Sequence, residues 1–179
     1  MLAVDAARLD RLPEAEFVAA MAPLFEGAPR FLARLAAGRP FGSTERLFDQ
    51  ALEIALAMPE DEQRELIDAH PRLGAPPGSV SALSYVEQGY GAEAGGATAE
   101  SEREHVAAEL ARLNEAYEAR FGFRYCVFVA GRPRAALLPG FEAALLADPD
   151  TERRRALGEV VAIARARYRG LGGRGEVRT

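Results

Sequence analysis

The amino-acid sequence predicts an all-α protein of about eight short to medium helices. Alanine, leucine and arginine are abundant, and β-branched residues are sparse outside a few short stretches, which favours helix over strand. Prolines and glycines divide the chain into segments whose apolar residues recur at helical spacing. Because 179 residues suffice for one full hydrophobic core, we expect a single helical domain over residues 1–169 and a flexible tail over residues 170–179.

Prolines and capping residues set the starts of the first three predicted helices. The first begins at Pro13, since a proline in the first turn lacks only an N–H that would stay unpaired. A second short helix opens at Pro29. Either Ser43 or Thr44 caps the third, which carries one apolar stripe up to Pro59.

The middle of the chain contains a helix stop, a loop and a long helix. The fourth helix ends at His70, because the residue before Pro71 is pushed out of helical geometry. Residues 81–88 are again helical in pattern, and residues 89–98, with four glycines, are expected to be irregular. A long helix is then predicted from about residue 99 to residue 120.

Residues 123–129 form the main stretch rich in aromatic and β-branched side chains. Alone this composition is typical of a strand, but the sequence offers no second strand for it to pair with. We therefore expect an extended, buried segment between helices. Pro133 starts a further helix that Pro139-Gly140 must kink or split, and the last helix spans about residues 151–168.

Composition excludes several classes of function. A net charge of −5 argues against non-specific binding to nucleic acid, which needs a clustered basic face. No apolar run approaches the roughly 20 residues that span a bilayer, and the N-terminus lacks the pattern of a signal peptide. The single cysteine, Cys126, rules out an internal disulfide and fits a reducing compartment, so a cytoplasmic protein is expected.

The sequence also offers few groups that could hold a cofactor. There is no lysine, so neither a Schiff base nor lysine-bound pyridoxal phosphate can form. Two distant histidines and one cysteine, without H-x-x-x-H or C-x-x-C spacing, disfavour a zinc site. No G-x-G-x-x-G opens a helix after a strand. What remains is acid–base chemistry without a metal or organic cofactor, or no chemistry.

His70 is the first candidate for such chemistry, because imidazole titrates near neutral pH. One interpretation is purely structural: a histidine at a helix end bonds the last carbonyls and suits the helix dipole. The other is catalytic. The same helix end is expected to stabilise imidazolium, and Pro71 would hold the ring beside a loop as a general acid or base.

Two further patterns each allow a structural and a functional interpretation. Ser84-x-x-Glu87 fits a capping box, yet Glu87-Gln88 also supplies a carboxylate and an amide that could reach the imidazole of His70. Arg167 lies at the edge of the apolar face of the last helix. It is either a snorkelling arginine or one aimed inward to clamp an anionic substrate.

Taken together, these segments resemble the 2-oxo-4-hydroxy-4-carboxy-5-ureidoimidazoline (OHCU) decarboxylase family. The resemblance rests on ELIDAHPRLG at residues 65–74, S-x-x-EQ at 84–88 and Y-x-x-RFGF at 117–123, and extends over about residues 8–169. It implies an all-α homodimer without metal or organic cofactor. Its implied reaction is the decarboxylation of OHCU to (S)-allantoin in urate breakdown.

The resemblance also implies roles for particular residues. Its catalytic histidine falls on His70 and its site glutamate on Glu87. The expected substrate contacts, made partly through the backbone of the extended segment, are Pro71, Ser84, Gln88, Tyr125, Cys126, Val127, Phe128, Val129 and Arg167. Either His70 or Glu87 could deliver the proton that replaces carbon dioxide.

Some positions depart from the family pattern. Arg124 stands where the family usually has proline, Ala130 replaces a basic residue, and the segment after Gln88 differs. These departures keep an alternative open, in which the chain is a non-catalytic helical ligand-binding or interaction module that kept the fold.

Overall fold

The computed structural model describes residues 5–88 and 97–172, and in these two ranges it is helical without any strand, which confirms the predicted all-α class. The described residues form nine α-helices: α1 (Ala6–Arg11), α2 (Glu14–Met21), α3 (Pro29–Ala37), α4 (Thr44–Ala57), α5 (Glu60–Asp68), α6 (Ala82–Glu87), α7 (Ala97–Phe121), α8 (Leu138–Ala144) and α9 (Pro149–Gly172). Short 3-10 turns occupy Ala22–Leu24, Pro77–Ser79 and Arg134–Leu137. None of these described helices is long and apolar enough to cross a membrane.

The helix starts follow the predicted prolines and caps. Pro13 directly precedes α2, and Pro29 is the first residue of α3. Of the two capping candidates for α4, Ser43 is the N-cap, and its Oγ accepts a hydrogen bond from the backbone N–H of Arg46 at 3.3 Å. Pro59 precedes α5, whose first three residues are acidic and suit the positive end of the helix dipole.

Two local features differ from or refine the prediction. Helix α1 was not predicted; it has six residues, and Asp5 caps it by accepting from the backbone N–H of Arg8 at 2.7 Å. The predicted break at Pro139-Gly140 is confirmed as a split, because a 3-10 turn ends at Leu137 and α8 begins at the next residue.

The last helix is longer than predicted. Residues 170–172 belong to α9 rather than to the expected tail, and Leu171 packs against the hydrophobic core. Residues 173–179 lie outside the described residues, as do residues 89–96 of the segment predicted to be irregular.

One hydrophobic core joins the described helices, and α9 passes through it against α4 and α5. At the other side of this core, the fully buried ring of Tyr117 packs in edge or tilted geometry against Phe121, Phe123 and Tyr125. Tyr125 in turn stacks on Phe141 with ring centroids 3.7 Å apart. This aromatic cluster fixes the start of the extended segment that follows α7.

The extended segment, residues 124–129, is neither helix nor strand, as predicted. Side chains from neighbouring helices bond its backbone in place of a partner strand. The carbonyl of Cys126 accepts from Nη1 of Arg155 at 3.1 Å, and the N–H of Phe128 donates to Oε2 of Glu159 at 2.6 Å. Two side chains of α9 therefore pair backbone groups of the segment that have no partner strand. Without them, this irregular backbone would bury unpaired polar groups, which is costly.

Candidate active site

A cavity lies where the end of α5, helix α6, the extended segment and α9 meet. It contains about 280 Å³ of space unoccupied by protein atoms, including space open to solvent. Its lining residues are His70, Pro71, Leu73, Ser84, Glu87, Gln88, Tyr125, Cys126, Val127, Val129 and Ile163. The fold thus brings together all the site residues predicted from the sequence except Phe128 and Arg167.

His70 lies just beyond the end of α5 and is only 4% exposed. Its Nδ1 lies 3.4 Å from the carbonyl oxygen of Leu66, and its Nε2 has no hydrogen-bond partner among the described residues. Since a carbonyl only accepts, this contact favours the tautomer with the proton on Nδ1. The lone pair is then on Nε2, in a ring that lines the cavity.

The helix end does favour imidazolium, through the carbonyl of Leu66, but this effect is outweighed. Burial, together with the positive charge of Arg167, lowers the pKa of His70 to about 4. Loss of hydration disfavours the charged ring more strongly than the helix end and the carboxylate of Glu26 favour it. At neutral pH the imidazole is therefore neutral.

The loop that carries His70 is held by residues from other parts of the chain. Nη1 of Arg124 donates to the carbonyls of Asp68 at 2.7 Å and His70 at 3.0 Å. The side-chain amide oxygen of Gln88 accepts from the N–H of Gly74 at 3.0 Å. Arg124, which departs from the family pattern, thus satisfies carbonyls at the end of α5.

Glu87 ends α6 and faces the extended segment. Its Oε1 accepts a hydrogen bond from the backbone N–H of Val129 at 2.9 Å. Burial raises the pKa of this carboxyl group, an effect only partly offset by that hydrogen bond and by Arg167. The cavity therefore contains a neutral imidazole and a carboxyl group that is harder to ionise than a glutamate side chain in water.

The capping-box interpretation of Ser84-x-x-Glu87 is wrong. Helix α6 begins three residues earlier than that motif requires, and Ser81 is its N-cap, accepting from the N–H of Ser84 at 3.1 Å. Ser84 is consequently inside the helix and buried. Its hydroxyl group is then available to side chains from elsewhere in the fold.

Arg167 points into the protein rather than snorkelling, and its side chain is 4% exposed. Nη2 donates to the hydroxyl oxygen of Ser84 at 2.8 Å, and Nη1 donates to the carbonyl of Leu24 at 3.2 Å. The counter-charge is Glu26, whose Oε1 lies 2.9 Å from Nη1. The remaining donor, Nε, is buried without a hydrogen-bond partner among the described residues.

A second, more open depression lies on the other side of Glu87, which lines both. It measures about 760 Å³, including space open to solvent, and its walls are mostly apolar. Its lining residues are Leu83, Val86, Glu87, Phe128, Ala130, Gly131, Ala166, Arg167, Gly170 and Leu171. Phe128 and Arg167, the two predicted residues absent from the inner cavity wall, are found here.

The extended segment contributes shape and backbone groups to the cavity. Burial raises the pKa of the Cys126 thiol and raises that of Tyr125 to about 12, so both side chains are uncharged at neutral pH. A thiol in this state is a poor nucleophile. No group of three or more metal-binding side chains occurs within residues 5–88 and 97–172.

The described residues form an all-helical fold, and its inner cavity brings the buried imidazole of His70 together with the carboxyl group of Glu87. The OHCU decarboxylase family model matches residues 10–169. The chain therefore belongs to the OHCU decarboxylase family.

Relatives from distant organisms agree with this assignment. An OHCU decarboxylase of Haloferax volcanii is 29% identical over 160 residues, covering 89% of this chain and 91% of the relative. The mouse OHCU decarboxylase is 28% identical, with 94% and 93% covered. A uric acid degradation bifunctional protein of Bacillus sp. strain TB-90 is 25% identical over 94% of this chain, but the match spans only 32% of that longer protein.

Solved structures show the same fold. A crystal structure of OHCU decarboxylase in the presence of (S)-allantoin superposes with a TM-score of 0.65 at 21% identity, covering 86% of this chain and 97% of that one. A crystal structure of (S)-allantoin synthase gives a TM-score of 0.63 at 21% identity, covering 94% of this chain and 54% of that one.

Several residues that shape the site were not predicted from the sequence. Leu73 and Ile163 line the cavity as apolar wall. Arg155 and Glu159 recur at helical spacing on α9, a charged stripe that could have indicated an inward polar face. Glu26 had no comparable signal, because nothing in a loop glutamate predicts its contact with a helix at the other end of the chain.

Proposed function

We propose that this protein decarboxylates OHCU to (S)-allantoin in urate degradation. Membership of the family and the names of its relatives in Haloferax and mouse support the reaction. The observation that carries the proposal is the pair of groups in the inner cavity. The same small space is lined by a neutral imidazole, whose Nε2 has no partner among residues 5–88 and 97–172, and by a carboxyl group of raised pKa.

In the proposed mechanism, His70 acts on the carbon that loses carbon dioxide. Nε2 accepts the proton of the hydroxyl group on this carbon while the carbon–carboxylate bond breaks. The electron pair of that bond forms a double bond to the neighbouring ring carbon, and the electron pair of the C=N bond takes up a proton from water at the ring nitrogen. The enolate oxygen then becomes a carbonyl group, and the electron pair of the C=C bond takes the proton of His70 at the neighbouring ring carbon. Burial disfavours the imidazolium, so His70 gives up this proton readily.

The other cavity residues would bind and orient the substrate. Arg167, through an Nε that has no partner among the described residues, and the backbone of residues 125–129 would hold polar groups of the substrate. The carboxyl group of Glu87 would hydrogen-bond the ring or ureido group. Ser84, Pro71 and Gln88 would complete the wall, with Gln88 also holding the loop after His70. Delivery of the proton from one face fixes the S configuration.

Circular dichroism of the product tests this proposal directly. OHCU is generated fresh, and allantoin formation is followed with and without the purified protein. We expect an optically active product, formed faster than the racemic background. An unchanged racemic background would contradict the proposed reaction.

We further propose that the protein acts as a cytoplasmic homodimer and that residues 1–169 carry the activity. The family resemblance supports the dimer, as do the exposed apolar side chains of Tyr85 and Val86 near the open depression, of which Val86 is 66% exposed. The single cysteine fits a reducing compartment. Sedimentation of the full chain tests the dimer, and a sedimentation coefficient of a monomer at micromolar concentration would contradict it.

A further inference from the structure

One carboxylate oxygen of Glu26 accepts two hydrogen bonds and makes one ion pair. Its Oε1 accepts from the hydroxyl groups of Ser81 at 2.8 Å and Ser84 at 2.6 Å, and it lies 2.9 Å from Nη1 of Arg167. Ser81 caps α6, Ser84 lies within it, and Arg167 belongs to α9. The carboxylate of Glu26, which lies in the loop before α3, therefore connects these two helices.

The backbone at this position is unusual for glutamate. Glu26 has a φ of +52°, in the left-handed region that favours glycine or asparagine, and Gly27 follows with a φ of +88°. A long acidic side chain is thus present at a position whose backbone glycine would adopt more easily. Glycine could not make the contacts of the Glu26 carboxylate with Ser81, Ser84 and Arg167, and these contacts give the glutamate side chain a function here.

The charge of Glu26 matters because Arg167 is buried. A buried guanidinium requires a nearby counter-charge, and Glu26 is the carboxylate that forms an ion pair with it. Within the described part of the chain, Nε of Arg167 has no hydrogen-bond partner. A substrate that carries a carboxylate consequently meets an arginine whose positive charge is already balanced.

We propose that Glu26 is a positioning residue of the decarboxylase site, which fixes Arg167 and the Ser84 hydroxyl and limits how strongly the site holds the substrate carboxylate. This inference rests on the proposed function. The reaction removes the carboxylate charge as carbon dioxide. An unbalanced arginine would stabilise the charged ground state more than the transition state, and so would tighten binding while slowing turnover.

The substitution Glu26→Gln tests the role of the charge. Glutamine keeps the length of the side chain and can still accept a hydrogen bond, but it leaves Arg167 unbalanced. We expect kcat to fall about tenfold and KM to fall severalfold in the circular-dichroism assay, since loss of the Glu26 charge stabilises the carboxylate-bearing ground state more than the transition state. A general structural defect would not lower KM.

Binding measurements test the same charge effect without turnover. By calorimetry, Glu26→Gln should bind the carboxylate allantoate several times more tightly than the wild type does, while affinity for uncharged allantoin stays unchanged. If the wild type fails to turn over OHCU but this selective gain appears, the proposed reaction is wrong and the role of Glu26 in charge balance stands.

Two further variants control for fold and for surface charge. Asp49→Asn removes a carboxylate that pairs with another arginine of α9, Arg165, at 2.8 Å on the exposed surface, and it should leave kcat and KM unchanged. Glu26→Gly removes the carboxylate while relieving the left-handed backbone, so it should stay folded and lose turnover. An unchanged KM and kcat in Glu26→Gln, or equal changes in affinity for both ligands, would overturn the inference.

Discussion

Helix α9 carries two arginines about three turns apart, Arg155 and Arg167, and each pairs with a glutamate. The two pairs differ in whether the arginine donors are all used. In the first pair, Glu152 accepts from the Tyr117 hydroxyl group at 2.5 Å and from Nη2 of Arg155 at 2.6 Å, and Arg155 also bonds the Cys126 carbonyl. In the second, Arg167 binds Glu26, but its Nε has no partner among the described residues.

This difference distinguishes the Arg155 pair, which supports the fold, from the Arg167 pair, which belongs to the candidate site. The Arg155 pair satisfies its own polar groups and holds the extended segment, so it gains nothing from a ligand. The Arg167 pair lies near His70, whose Nε2 is also unpartnered within the described residues. Buried donors and acceptors left unpaired are costly, and a ligand that pairs with them regains that free energy on binding.

The largest expected effect is a loss of turnover when His70, which lies near the Arg167 pair, is substituted. His70→Asn removes the group proposed to move the proton, so kcat should fall by roughly 10²–10⁴-fold. The fold should survive, because the ring makes only one long hydrogen bond, at 3.4 Å to Leu66. The circular-dichroism assay measures turnover, and thermal unfolding checks the fold. Activity near that of the wild type would return His70 to the role of a helix cap.

Substitutions in the pair of Arg155 and Glu152 should lower the stability of the fold. Glu152→Ala leaves the charge of Arg155 without its main partner and the hydroxyl group of Tyr117 without an acceptor. We expect the free energy of unfolding to fall by about 3–5 kcal/mol, measured by denaturant titration. As a control, Asp150→Asn breaks an exposed ion pair with Arg153 on the same helix and should change stability by less than about 0.5 kcal/mol. A loss for Glu152→Ala as small as that of the control would contradict the framework role.

The buried imidazole should also make stability depend on pH. The pKa of His70 is about 4 in the folded protein, against about 6.5 for an unfolded histidine. The unfolded state binds the proton first as pH falls, so this contribution is complete above pH 6.5 and is lost as pH falls towards 4. Its size is on the order of 3 kcal/mol.

Comparing variants separates the contribution of His70 to the pH dependence of stability from that of the carboxylates, which titrate over the same pH range. His70→Asn should show a shallower loss of stability between pH 6.5 and 4 than the wild type shows. His105→Asn, at the exposed second histidine, should leave the profile unchanged. Identical profiles for the wild type and His70→Asn would show that the imidazole is not buried in its neutral form.

The smallest expected effect is that of Tyr117→Phe, which removes one hydrogen bond but leaves Glu152 paired with Arg155. The free energy of unfolding should fall by about 1.5 kcal/mol, with turnover per folded molecule unchanged. Adding the same substitution to Glu152→Ala should cost less than it does alone, because the acceptor is already gone. Full additivity would contradict a shared cluster.

The sequence predicts the fold where local chemistry decides the structure. Proline and serine set the starts of α2 to α4, and apolar stripes mark the faces that pack. The short α1 and the last residues of α9 were missed because tertiary contacts, such as those of Leu171 with the core, stabilise them beyond their local pattern.

The candidate site was predictable only in part. The resemblance places His70 and Glu87 together, and the structure brings both to one cavity. Spacing alone could not show whether Ser81 or Ser84 caps α6. The protonation of His70 was mispredicted because its burial depends on residues far away in sequence, and the pairing of Arg167 with Glu26 depends on the same long-range packing.

The extended segment and Arg167 are attached to one rigid helix, and this has a consequence for precision. Arg155 and Glu159 fix the segment from one stretch of α9, and Arg167 projects from another, roughly 18 Å further along the axis if Arg155 is the reference. A regular helix hardly changes its length, so these two groups cannot drift apart independently. The binding geometry is therefore set during folding, and little reorganisation is left for the moment of reaction.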